Sequence, residues 1–313
     1  MIPARPLPAR WASRLSFGVR ALVVVTILAA TGLLVASAQE HRRVAPQHRV
    51  ELGVWHVARR PSWATLDDVR EVRAASGLRE RAMPLFDRGA AAEVRAQLES
   101  AARVERVVAM RRRPPDRLVV TVELRRPVAA LRTADGRFLE VDAAGIVLGA
   151  PLDARPVRDG LPLRVVSGAA DTDLAPGTIC GPDAAGGIAL CRALDAALEG
   201  RGEHVLRTFD EVDVANFGGR AAPAESPVLL RSAEIARGRR RTACVVEWGR
   251  LDERHGEPSL ERKVAQLAEA VRLFGEFDGV ARVRVAYEDL SVLPVHGAEG
   301  AWLPALADRA HAR

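Results

Sequence analysis

Aromatic residues are scarce: five tryptophans, seven phenylalanines and one tyrosine in 313 residues. None alternates with arginine along an extended run, so the stacking platforms that hold single-stranded nucleic acid are missing. Lysine is scarcer still, Lys263 being the sole example. The formal charge is +6, but 46 basic residues face 40 acidic ones and the two signs are interspersed, a weak argument for a polyanionic partner. The arginine excess, beside abundant alanine, reads as a compositional bias. Cysteine occurs three times, without a C-x-x-C or zinc spacing, and the seven histidines form no H-E-x-x-H or H-x-H pattern. A glycine-rich phosphate loop and a G-x-S-x-G nucleophile elbow are also missing. The adjacent carboxylates Asp67 and Asp68, Asp252 and Glu253, and Glu288 and Asp289 read as a helix first turn or polar loops. The sequence nominates no catalytic residue, no metal ligand and no cofactor site.

What is present begins with Ala21–Ala38, eighteen residues without a charge. As a helix this run spans about 27 Å, one hydrocarbon core. Arg5, Arg10, Arg14 and Arg20 precede it with no acidic residue, which predicts a cytoplasmic tail over 1–20 and a transmembrane anchor over 21–38. Arg42, Arg43 and Arg49 follow on the other side. Ala36, Ser37 and Ala38 also have the form of a signal-peptidase site, so anchor and cleaved signal both stand. On either reading the remainder is exported. In an oxidising compartment Cys180 and Cys191, which flank a glycine-rich stretch, could form a disulfide; Cys244, inside TACVVEW, reads as a small buried apolar residue.

Residues 39–49 are polar and read as a linker. VELGVWHV (50–57) reads as a strand. Thr65 and Asp68 have capping-box spacing for a helix over 65–76 that stops at Gly77. A second helix, from about Ala90 to Ala102, follows Asp87 and puts Val94 and Leu98 on one face. VERVVAM (104–110) and RLVVTVELR (117–125) are strands, the latter with Leu118, Val120, Val122 and Leu124 on one side. The order β-α-α-β-β can lay two helices on a small three-stranded sheet. From 126 onward short strands alternate with turns, notably PVAALR, RFLEVD and LPLRVVSG. A helix over Asp183–Leu198 is broken early by Gly186 and Gly187. Strand candidates recur at 205–217, 227–236 and 241–249, and Arg237 to Arg241 read as a solvated hairpin turn around Gly238. Leu260, Val264, Leu267, Val271 and Phe274 give the best-defined helix, ended by Gly275 or Gly279. VARVRVAY (280–287) is a strand with Val283, Val285 and Tyr287 on one face and Arg282 and Arg284 on the other. Residues 296–313 read as a tail. The fold class is α+β.

The chain resembles the bacterial cell-division family FtsQ/DivIB over about residues 15–293. The resemblance is carried by Val104–Met110, the basic proline-containing turn Arg111–Asp116, Leu118–Val122, and the junction Arg125, Pro127, Val128 and Ala129. It continues through Val141–Asp142, Gly145–Val147, Leu161–Pro162, Ser167–Gly168, Val246–Gly249 and Lys263. Two departures stand out. Leu124 occupies a position where the family often has glutamate, with Glu123 one residue earlier. Arg284, Val285 and Ala286 precede Tyr287 where the family tends toward aspartate-leucine-arginine.

The resemblance implies a single membrane anchor, a POTRA-like domain over 50–125 and a β-domain over 126–295. It further implies a non-catalytic inner-membrane scaffold of the division machinery, its bulk periplasmic and placed at the division site. Its partners would be other division proteins similar to FtsB and FtsL, with no nucleic acid and no small-molecule substrate. Partner binding by β-strand addition is expected at an open edge near Val283–Leu293, with Val283, Val285, Tyr287, Leu290 and Val292 as candidate contacts. The alternative is a POTRA-containing secretion or envelope-assembly factor.

Overall fold

The computed structural model describes residues 9–44, 49–51, 55–57, 60–78, 82–84, 88–113, 117–201, 209–232, 235–237, 240–242, 244–251, 256–274, 277, 280–294 and 303–304. It is a mixed α+β chain with one N-terminal apolar helix and a large mixed sheet. Helix α1 covers Ala9–Val44, longer at both ends than the expected span. Arg10–Arg20 and Gln39–Arg43 hold no proline to interrupt it. Within α1, Val19–His41 is long and apolar enough to cross a membrane, and none of its strongest window is buried within the chain.

After α1 the chain makes β1 (Arg49–Glu51) and β2 (Trp55–Val57) where one strand was expected. Strand β1 pairs antiparallel with β3 (Ala82–Pro84). Between them lies α2 (Leu66–Ala75), which starts as its sequence predicts: Thr65 Oγ1 accepts from Asp68 N–H, and Asp68 Oδ2 accepts from Thr65 N–H at 2.7 Å. Ser76 ends α2, and Gly77 follows at φ +60°, a conformation glycine takes without strain. Helix α3 covers Arg88–Glu99, with Val94 and Leu98 buried as expected; Asp87 lies outside the described residues. Strands β4 (Val104–Arg113) and β5 (Arg117–Leu124) complete a three-stranded sheet of order β2-β5-β4, with β2 parallel to β5. Leu118, Val120, Val122 and Leu124 are buried and the residues between them are not, so the alternation is met.

The remaining strands are β6 (Pro127–Arg132), β7 (Phe138–Asp142), β8 (Val157–Arg158), β9 (Leu161–Pro162), β10 (Arg164–Ser167), β11 (Phe209–Asp213), β12 (Leu229–Ser232), β13 (Ile235–Arg237), β14 (Arg240–Thr242), β15 (Val245–Glu247), β16 (Val280–Arg284), β17 (Ser291–Pro294) and β18 (Leu303–Pro304). Nine of them form one sheet in the order β18-β17-β16-β15-β12-β11-β10-β6-β7. β13 and β14 pair as the expected hairpin at Arg237–Arg241. Two of the sheet's parallel pairs need helical crossovers. α4 (Pro182–Arg201) joins β10 to β11, and α5 (Leu260–Phe274) joins β15 to β16. α4 lies against β6, β10, β11 and α5.

Gly186 and Gly187 do not break α4; they let it approach the sheet. A Cβ on Gly187 would meet Val166 Cγ1 at 2.7 Å and Val214 Cγ1 at 3.2 Å, and one on Gly186 would meet Leu251 Cδ1 at 2.5 Å. Helix α5 is as expected, with Val264, Leu267 and Val271 buried. Beyond its end Phe277 takes φ +59° while its ring packs edge-on against Phe209, centroids 5.2 Å apart; Gly275 and Gly279 lie outside the described residues. The opposite face of the sheet is polar, with cross-strand pairs Arg132–Glu211, Arg231–Asp213 and Arg282–Glu247.

The chain divides into two compact units, one of residues 1–58, 77–97 and 108–121, the other of 59–76, 98–107 and 122–313. This division is not the sequential one expected at 125/126, because α2 and residues 98–107 cluster with the later strands.

Gly187→Ala is expected to lower stability even though alanine favours a helix by about 1 kcal/mol over glycine. Overpacking a filled core typically costs about 1–3 kcal/mol. Urea unfolding measures the sign.

Candidate binding edge and its support

An antiparallel or mixed sheet has two outer strands whose backbone groups need partners. At the β7 end the chain supplies its own. Phe138 and Leu152 exchange both backbone hydrogen bonds (2.9 and 2.8 Å), Leu148 N–H donates to Glu140 O (2.8 Å), and Asp142 N–H donates to Ile146 O (3.0 Å). At the other end, among the described residues, β17 pairs with β18, Ser291 opposite Pro304 and Val292 opposite Leu303.

This corrects the expected edge. β16 is an interior strand, paired in parallel with β15 and antiparallel with β17. Residues 303–304, expected in a tail, supply the terminal strand. Val283, Val285, Leu290 and Val292 are buried in the core shared with α4 and α5, so their side chains serve packing. Tyr287 differs. The strand stops at Arg284, the chain bends through 286–289, and Tyr287 is 60% exposed. Gln266 of α5, itself buried, donates to the carbonyls of Tyr287 (3.0 Å) and Glu288 (2.6 Å), and the Arg284 guanidinium stands 5.6 Å from the ring centroid. Arg284 and Arg282 both donate to Glu247 on β15. The tyrosine is thus an exposed aromatic on a tethered bend beside β17.

Lys263, singled out by its rarity, is buried in α5. Its Nζ donates to Arg250 O (2.7 Å) and Glu257 Oε2 (2.6 Å), which clamps the turn at Gly249, φ +82°, to the helix. Its role is positional.

The junction residues sit at the opposite end of the sheet. Arg125 donates its backbone N–H to Arg103 O and its guanidinium to Asp142, which is also bound by Ala144 and Ile146 N–H. Pro127 starts β6 opposite Asp142, Ala129 is fully buried and Val128 packs at the margin of the core. Next to them is a cluster not anticipated from sequence. Arg103 contacts Glu71 (2.5 Å), Glu140 (2.6 Å) and Asp68 (3.1 Å). Arg158 makes a fork to Asp68 (2.8 and 3.0 Å) and also donates to Glu140 (2.8 and 2.7 Å). Arg103, Asp68 and Glu140 are buried. Burial pushes the Asp68 carboxyl up, but the Thr65 N–H, the Arg158 hydrogen bonds and the charges of Arg103 and Arg158 outweigh it and hold it below its ordinary 3.8.

Cys180 and Cys191, a candidate disulfide, are free buried thiols, as is Cys244. Cys180 lies beyond β7, its N–H bonded to Gly145 O, and Cys191 is inside α4, both packed in the core. Among the described residues no group of His, Cys, Asp and Glu is arranged to hold a metal ion.

Arg103→Met leaves Asp68 and Glu140 with Arg158 as their one remaining arginine partner in the cluster and is expected to cost about 3–5 kcal/mol in urea unfolding. Arg106→Met, which breaks the exposed Arg106–Glu123 pair, should leave the midpoint unchanged. Because the folded pKa of Asp68 is depressed, its contribution is complete above the unfolded value of about 3.8 and is lost as pH falls through the folded one. Asp68→Asn should therefore lower stability at neutral pH and flatten the loss of stability below about pH 4, read from thermal midpoints across a pH series.

No protein-family model and no curated protein matches this chain.

Proposed function

We propose that this chain is a non-catalytic, membrane-anchored scaffold of the bacterial division machinery, similar to FtsQ/DivIB, that binds partner proteins by strand addition at the β17 edge. The observation that carries the reading is the contrast, among the described residues, between the sheet's two ends: one is covered by four backbone hydrogen bonds from the chain itself, the other is met by Leu303 and Pro304 beside an exposed, tethered tyrosine. An added strand gains main-chain hydrogen bonds along β17, and Tyr287 supplies an aromatic anchor of the kind that dominates interface energetics.

The anchor is supported by Val19–His41. Its leucines and valines are exposed along the whole stretch, an apolar surface that water does not tolerate and a bilayer would cover. The basic residues before it favour a cytoplasmic N-terminus with the residues that follow the anchor in the periplasm. A POTRA-like first domain is supported by the element order and by the parallel pairing of β2 with β5 in a β2-β5-β4 sheet.

The test is capture of FtsB- and FtsL-like partners by the full-length chain in detergent. Tyr287→Ala should weaken capture about tenfold or more, since aromatic hot spots are worth about 2 kcal/mol, with no change in the thermal midpoint. Leu293→Pro, which places a proline in β17, should weaken it further. Full capture by both folded variants overturns the reading. A fluorescent fusion spread uniformly around the envelope, rather than concentrated at midcell, would favour a secretion or envelope-assembly factor instead.

A further inference from the structure

We propose that the bend at 286–289 recognises a basic side chain, so that the partner bound there presents an arginine or lysine to Tyr287, Glu288 and Asp289. The inference rests on the scaffold reading and adds the charge its partner must carry. Elsewhere in the large sheet and its loops, carboxylates are met by arginines of the same chain, as Glu211 is by Arg132, Asp213 by Arg231 and Asp183 by Arg220. Glu288 and Asp289 depart from that habit. Both are exposed, both follow directly on Tyr287, and among the described residues neither is matched with a cation.

Two adjacent carboxylates alone would be an ordinary solvated surface. Two independent features of the same bend point to a ligand. The first is the tyrosine, whose ring is largely exposed and whose face attracts cations. Arg284 already stands by the ring, but it is held at 2.7 Å by Glu247, which it shares with Arg282. The second is Gln266. Its Nε2 donates to the carbonyls of Tyr287 and Glu288, which fixes the amide's orientation and leaves Oε1 buried without a hydrogen-bond partner. A buried acceptor left unmet is costly, and this one belongs to the amide that holds the bend.

Carboxylate, ring face and amide oxygen are all electron-rich, and none of them donates. The group that satisfies them together is positively charged and carries several N–H donors, as a guanidinium does with five in a planar fork and an ammonium with three. An apolar segment seated here would strip water from two carboxylates without replacing it, and an acidic one would be repelled.

The test measures association and dissociation rates of the FtsB- and FtsL-like partners with the full-length chain in detergent, across a salt series. Glu288→Gln/Asp289→Asn changes exposed side chains and should leave the thermal midpoint in place. It should slow association about threefold or more and flatten its dependence on salt, as loss of an attractive rim charge does. Glu288→Arg/Asp289→Arg should weaken binding further, and changing one basic residue of the partner to glutamate should restore it. Unchanged rates and salt dependence in both charge variants overturn the inference, as does tighter binding on neutralisation, which would mean an acidic segment sits there. In either case loss of capture by Tyr287→Ala and Leu293→Pro leaves the scaffold reading standing. Absence of binding by the unmodified chain overturns both.

Discussion

Two arginines taken out of water hold the second compact unit together. Arg103 and Arg158 each bridge Asp68 and Glu140, and Arg103 adds Glu71. Charges buried this deeply are tolerated only when each is paired and its hydrogen-bonding groups are met. The fork from Arg158 to Asp68 meets both conditions, whereas Arg103 Nη1 has its ion pair with Asp68 but no hydrogen bond. Four of the five residues come from α2, β7 and β8, and the fifth, Arg103, immediately precedes β4. The network therefore ties a helix that comes early in the chain to strands near the start of the large sheet, and it explains why contacts divide the chain otherwise than a linear reading does. The capping box of α2 contributes to the same center, since Asp68 serves Thr65 and both arginines at once.

With one end of the sheet fixed in this way, the two edges are managed unequally. The chain folds back after β7 and saturates the edge there with backbone hydrogen bonds. At the far end, the parallel β15–β16 pair and its crossover helix α5 place β16 inside the sheet, and Lys263 and Gln266 fasten the neighbouring turn and bend to that helix. Beyond β17 the described residues are Leu303 and Pro304 of β18. An edge left in this state, on a scaffold otherwise closed, is where strand pairing has something to add.

Local patterns in the sequence were reliable where a single element decides the outcome. The α2 cap, the alternation through Leu118–Leu124 and the apolar stripe of α5 are read from residues within one or two turns of each other, and the structure has them. The α4 glycines misled because propensity sees only the helix, whereas the packing partners Val166 and Val214 come from strands β10 and beyond β11. The Arg103 network joins residues up to ninety positions apart, and nothing in the spacing of isolated arginines in an arginine-rich chain distinguishes those members. Placing Val283 on an edge failed for a related reason. Strands as short as β17 and β18 carry no usable alternation, so the strand before them looked like the last. Tyr287 was assigned to a strand, whereas the ladder to Glu247 ends at Val285, whose N–H donates to the Glu247 carbonyl.

The polar face of the sheet bears on how a partner can be held. Its arginines are matched across strands with Glu211, Asp213 and Glu247. Half-exposed pairs of this kind add little stability, but they place paired charges across that face. A protein docking flat on it would have to strip water from paired charges and would gain little apolar burial in return. Main-chain pairing avoids that cost, because the bonds formed at a strand edge do not depend on which side chains flank it. Tyr287, its backbone carbonyl held by Gln266 and its ring flanked by Arg284, stands where side-chain burial can be added to such pairing. The chemistry of the face and the geometry of the edge therefore favour the same mode of binding, addition along β17 rather than docking on the sheet.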